Sequence, residues 1–167
     1  MLWLGGELPK WVENNDRQRW QKELLGLQLP DGGWATAALG DWKRKDGSAQ
    51  TLDRGDGYGT GFVIFALRQS GLPASHPAIR RGIGWLKTNQ RESGRWFTRS
   101  PYKDGRHYIS HAGTVFALLA LAGFLLESQY EKVQAYLNPV STAIVVLMVL
   151  YSLYRLIRQR LAGFLDG

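Results

Sequence analysis

The sequence contains no cysteine. That removes disulfides, thiolate zinc sites and cysteine nucleophiles together, and it leaves the redox compartment open. Acidic residues are scarce in the middle of the chain. Residues 57–126 carry nine Lys or Arg against only Glu92 and Asp104, a surplus equal to the +7 of the whole chain. A basic middle can face anionic lipid, an acidic partner or a solvated rim. No RNP-like aromatic pattern, zinc-finger spacing or basic helix accompanies it, so nucleic acid is not an expected partner. Sustained period-two alternation is also missing, which excludes a sheet and leaves an all-α chain. The opening MLWLGGELPKWVENND has neither a basic n-region nor a long apolar h-region, so it does not read as a signal peptide.

Glycine and tryptophan, by contrast, are plentiful, at 20 and 7 in 167 residues. They cluster at turns. Leu24-x3-Gln28-x3-Gly32-x-Trp34 recurs with identical spacing as Leu86-x3-Gln90-x3-Gly94-x-Trp96. A second repeat pairs TGFVIFAL, beginning at Thr60, with TVFALLAL, beginning at Thr114. Together they define one unit: amphipathic helix, Gln/Gly/Trp turn, loop, apolar helix. Helices are expected over 17–28 and 76–90, with Trp20, Leu24, Leu27 and Ile79, Ile83, Leu86 on helical spacing. Residues 59–70 and 112–126 are apolar on most faces, as inner helices shielded by others. Ser75 is the expected cap of the 76–90 helix, with Pro77 in its first turn. The loops 35–57 and 97–110 are long and rich in Gly, Asp, Lys and Arg.

Helix ends explain the turn. The last carbonyls of a helix lack partners within it, and a glutamine amide can supply donors. Glycine permits a left-handed conformation, after which tryptophan folds its flat apolar surface back onto the helix just left.

Near the C-terminus, Val133 to Tyr154 is a run of 22 uncharged residues, followed by Arg155, Arg158 and Arg160. A membrane span over 138–160 is expected, with the arginines favouring the cytoplasm and the rest of the chain on the non-cytoplasmic side. The domain plan is thus a lead-in (1–16), a helical repeat domain (17–137), a single membrane span (138–160) and a tail (161–167).

The motif Arg81-Gly82-x2-Trp85-Leu86-x3-Gln90-x3-Gly94-x-Trp96 resembles the QW motif of squalene–hopene cyclases and the wider prenyltransferase/squalene-cyclase repeat superfamily. Gln28–Gly32–Trp34 is a partial copy without the leading Arg-Gly. The resemblance spans roughly residues 17–126. It implies an α/α toroid of alternating inner and outer helices around a cavity, of which this chain can supply only part. It also implies where an acid should lie: these cyclases protonate an alkene with an Asp-x-Asp-Asp-Thr motif ahead of an inner helix. Aligning Thr60 leaves only Asp56 of that motif, with Tyr58 at the proton donor's position, and Ser110 to Thr114 is no better. The superfamily's Asp/Cys/His zinc site is closed by the absence of cysteine.

The remaining candidates are weaker. Asp53 and Asp56 could pair as carboxylates, although Asp beside Gly usually marks a turn. His107 and His111 have the i, i+4 spacing of a helical metal pair but no obvious third ligand, so no metal and no cofactor are expected. Tyr58, Phe62, Phe65, Tyr108 and Phe116 could line a cavity for an isoprenoid-like ligand, or serve as ordinary core. The leading expectation is a repeat module that is not catalytic alone. It would be membrane-associated and would bind a hydrophobic ligand or a partner chain that completes the toroid. Two alternatives stand beside it: a fragment of a terpenoid cyclase whose acid lies elsewhere, and a small protein with spans near 108–126 and 138–156.

Overall fold

A computed structural model of the chain describes residues 13–105, 108–129, 133, 146–148, 150 and 151. Outside the described residues lie most of the expected 1–16 lead-in, His107, the 161–167 tail, and the 138–160 span apart from 146–148, 150 and 151. Every regular element among the described residues is helical: α1 (Asn14–Gly26), a 3-10 turn (Thr36–Leu39), α2 (Gly57–Gln69), α3 (Pro77–Thr88) and α4 (Tyr108–Gln129).

Burial separates inner from outer helices. In α2, Thr60, Val63, Ile64, Ala66 and Leu67 are all buried, along with three glycines, so most of its circumference is covered. In α3 the buried set is Ala78, Ile79, Gly82, Ile83, Trp85 and Leu86, one stripe at helical spacing. No residue of α1 is fully buried, yet Trp20, Leu24 and Leu25 pack against the same core. Outer α1 and α3 therefore flank inner α2, and Ala117 and Ala120 of inner α4 join the cluster. This is part of an α/α toroid.

Two helix ends follow local chemistry. Gly71, at φ +95°, ends the α2 region, and the Leu72 N–H bonds back to the Leu67 carbonyl at 3.0 Å. At the start of α3, with Pro77 in the first turn, the cap is His76, not the expected Ser75. Its Nδ1 accepts from the Ala78 N–H at 3.2 Å, because the imidazole stands directly before that free donor.

The inner helices meet almost backbone to backbone. A Cβ built on Gly61 would lie 2.5 Å from the Ala117 nitrogen. The opposite side of α4 departs from the expected shielding. Val115 and Leu118 are 54% and 53% exposed, and Leu119 is exposed too, because among the described residues no helix covers that side. Among the described residues α4 is the helix long and apolar enough to cross a membrane, with 17% of its most apolar window buried. The sequence pattern had assigned it to the globular part.

The chain divides into two compact units, 1–126 and 127–167. The described residues of the second are helical, and Val133, Val146, Leu147, Met148, Leu150 and Tyr151 are exposed.

Replacing Gly61 with leucine should destabilise the chain by about 1–3 kcal/mol or more, since backbone must move. Gly84 on α3 has open space around its Cα, so Gly84→Ala should stabilise by about 0.5–1 kcal/mol. Urea unfolding followed by tryptophan fluorescence reads both; equal midpoints for the two variants would contradict the close crossing.

Candidate functional site

The two Gln/Gly/Trp turns repeat one hydrogen-bond scheme. Gln28 Nε2 donates to the Gly32 carbonyl at 2.9 Å, and Gln90 Nε2 donates to the Gly94 carbonyl at 2.9 Å. Both glycines have positive φ, +90° and +76°, where a side chain is strained. The Trp34 indole N–H reaches back to the Leu24 carbonyl at 2.7 Å, and that of Trp96 to the Leu86 carbonyl at 2.8 Å. Both tryptophans are essentially inaccessible to solvent. Each indole thus closes the end of the helix it follows and stays hydrogen-bonded where an unpaired donor would be costly.

Beyond their own turns the motif residues divide the links between helices. Gln28 reaches the next outer helix: its Nε2 also donates to the Ala78 carbonyl at 2.8 Å, and the Arg81 guanidinium donates to its Oε1. Arg81, which opens the second motif, thereby grips the glutamine of the first. Gly82 packs beside Ile64 and the Trp34 ring. Trp85 donates its indole N–H to Asp31 at 3.0 Å. The link to the inner helix runs through tryptophan backbone. The Trp34 N–H donates to Thr60 Oγ1 at 3.0 Å, and the Trp96 N–H to Thr114 Oγ1 at 3.3 Å.

The same repetition explains Asp56. Two residues after each tryptophan stands a threonine, Thr36 or Thr98. The Thr36 N–H and hydroxyl both donate to the Asp56 carboxylate at 2.6 Å. At the equivalent place in the second unit, the Thr98 N–H donates to Ser110 Oγ at 3.1 Å. Asp56 also caps α2 through the Gly59 N–H at 2.9 Å and accepts from the Thr98 hydroxyl at 3.0 Å. Four donors therefore converge on one carboxylate, which ties the loop after each tryptophan to the start of α2. Thr60 and Thr114 open the repeated apolar helices in the sequence, whereas Thr36 and Thr98 do not stand out there, although Trp-x-Thr recurs at equal spacing.

Four of the five expected aromatics come together. Tyr58 stacks on Phe62 at 5.5 Å between centroids, and Phe116 meets Tyr58, Phe62 and Phe65 at 5.5, 5.1 and 5.7 Å. The four rings are half-buried at the α2–α4 crossing. Tyr108 stands apart, exposed at the start of α4, and so does His111. Asp53 is exposed in the loop ahead of α2. Among the described residues no three His, Asp or Glu side chains converge as metal ligands would.

The long loops are clasped by a buried cation that sequence reading overlooked. The Arg44 side chain is wholly buried; it donates to the Ser100 carbonyl at 2.7 Å and to Ser48 Oγ at 2.6 Å, and pairs with Asp104 at 2.9 Å. Arg99 grips Asp104 with two nitrogens at 2.9 and 3.0 Å. Hydrogen bonding from Arg99 lowers the Asp104 pKa from 3.8 to about 2. Hydrogen bonds from the Ser48 side chain and backbone do the same for Asp46, also to about 2.

Removing the carboxylate in Asp56→Ala should cost about 2–3 kcal/mol in urea unfolding, and Asp56→Ser should recover part of it, as serine serves at position 110. An unchanged midpoint for the alanine variant would remove the structural role. For the loop clasp, a lowered folded-state pKa stabilises above the unfolded value and is lost as pH falls through the folded one. The clasp should therefore persist at pH 4 and open towards pH 2; an NMR titration of the Asp104 carboxyl carbon with a midpoint near 4 would contradict it.

No family model and no solved structure matches the chain. Curated relatives do. The chain is 30% identical over 122 residues to the squalene-hopene cyclase of Schizosaccharomyces japonicus, an alignment covering 70% of this chain. A shorter segment of 39 residues is 46% identical to the squalene–hopene cyclase of Zymomonas mobilis subsp. mobilis, covering 23% of this chain. The chain spans only 18% and 6% of those relatives' lengths. Helical pairing, two equivalent turns and these similarities agree: the chain is a member of the squalene-cyclase-like repeat family.

Proposed function

We propose that this chain acts as a non-catalytic squalene-cyclase-like module at a membrane, where its incomplete toroid holds a hydrophobic, isoprenoid-like ligand or a partner chain. The observation that carries this reading is the outward row Val115, Leu118 and Leu119 on α4, beside the half-buried rings of Tyr58, Phe62, Phe65 and Phe116. An apolar helix face of this kind is favourable only when something apolar covers it. The structural use of Asp56 supports a non-catalytic role for the chain alone, since its four hydrogen bonds are spent on holding the loops to the start of α2. On this reading the 138–160 segment spans the bilayer, with the repeat domain on the non-cytoplasmic side.

A second reading, part of a terpenoid cyclase whose acid lies outside these residues, is favoured by one observation. The chain matches 18% of the length of the S. japonicus cyclase. The two readings separate on activity. Under the first, the full chain floats with neutral phosphatidylcholine vesicles and leaves squalene unchanged. Under the second, it restores turnover when mixed with the rest of the enzyme. In flotation, Val115→Glu with Leu119→Glu should reduce the membrane-bound fraction, because two charges on the row oppose burial in lipid. A chain that stays at the bottom of the gradient without these changes would overturn the membrane reading.

A further inference from the structure

Of the basic surplus of residues 57–126, Arg81 serves the repeat scheme, while Arg91 and Arg99 join Arg54, from just before that stretch, around one cavity. Between the two long loops lies a space of about 390 Å³ bordered by Arg54, Arg91, Arg99, Trp85, Phe97 and Asn89, with Asp56 at one side. That volume falls in the range of small-ligand clefts.

The arginines around it differ in what they pair with. Asp56 is saturated by its four donors, and Arg99 is matched by Asp104. Asp31, behind Trp85, accepts the indole N–H. Arg54 and Arg91 have no ion-pair partner among the described residues. Arg91 lies over the Phe97 ring, 4.5 Å from its centroid, which fixes the guanidinium plane while leaving its N–H edge unused. Phe97 itself is 46% exposed. Arg91 and Phe97 also border a neighbouring cavity of about 220 Å³ that adds Arg95 and His111, so positive charge continues beyond the first space.

We propose that this cavity binds an organic phosphate: an oxyanion gripped by Arg54 and Arg91, with its apolar or flat body against Phe97 and Trp85. A guanidinium fork matches phosphate oxygens with two parallel bonds, and the aromatic wall favours an organic ester over the bare ion. The loops that carry the two arginines' neighbours are held in place by the Arg44 and Arg99 clasp, so the walls are preformed.

Phenyl phosphate, inorganic phosphate and phenol, titrated into the full chain, test this by NMR of the Trp85 indole and arginine Nε resonances. Phenyl phosphate should saturate, and bind about tenfold or more tighter than either half alone. Arg54→Gln with Arg91→Gln should weaken it by a similar factor, while Arg80→Gln, exposed on α3 and outside the cavity, should not. Arg54→Lys, which keeps the charge and loses the fork, should fall between. The source of the phosphate is read by vesicles. Stronger flotation with phosphatidic acid than with phosphatidylcholine, abolished by the double variant, identifies a lipid headgroup; equal flotation identifies a soluble ester. No saturable binding by phenyl phosphate, or an equal loss in Arg80→Gln, overturns the proposal.

Discussion

Each outer helix ends on a tryptophan that bonds in two directions at once. Its indole N–H closes the helix behind it, at the Leu24 or Leu86 carbonyl, while its backbone N–H takes the hydroxyl of an inner-helix threonine, Thr60 or Thr114. Backbone groups at a helix end need partners, and a buried indole needs one too. One residue meets both demands and thereby sets the distance between an outer helix and the next inner one. Gly82 on α3 must then be small, because the Trp34 ring and Ile64 fill the space where its side chain would go. Gly61 must be small for the same kind of reason at the α2–α4 crossing. Packing in this chain starts from the two indoles.

The same economy accounts for Asp56. The residue four before the inner-helix threonine lies where the loop after tryptophan meets the helix start, so it is surrounded by free N–H and O–H donors. In one unit it is Asp56 and in the other Ser110, and both accept the N–H of the threonine two past the tryptophan. That a serine can do the work shows what the position asks for: an acceptor, not an acid.

Much of this architecture could be read from residue order, and the limits have physical causes. Helix positions follow from apolar spacing, and the two turns from glycines at fixed offsets, because these features are local. Thr36 and Thr98 are silent in the sequence because a single hydroxyl after a turn is unremarkable; only the matched geometry of two units reveals them. Arg44 reads as an ordinary loop cation, yet its guanidinium is buried among groups 56 and 60 residues away in sequence, Ser100 and Asp104. His76 displaced Ser75 as a cap through a one-residue difference in register, below what spacing resolves. Arg54 and Arg91 lie 37 positions apart, and no pattern in the order of residues brings them to one cavity.

The asymmetry between the two glutamines bears on how the chain is completed. Gln28 has three hydrogen bonds because α3 follows it: one to its own turn, one to Ala78 and one from Arg81. Gln90 occupies the equivalent place and, among the described residues, keeps only the bond to Gly94. Among the described residues no further outer helix stands beside it, and Val115, Leu118 and Leu119 of α4 face outward. A polar deficit at Gln90 and an apolar surplus on α4 therefore point to one cause. In a repeat architecture each unit's exposed face is the next unit's binding surface. An occupant of this face that also bonds Gln90 would satisfy both needs together.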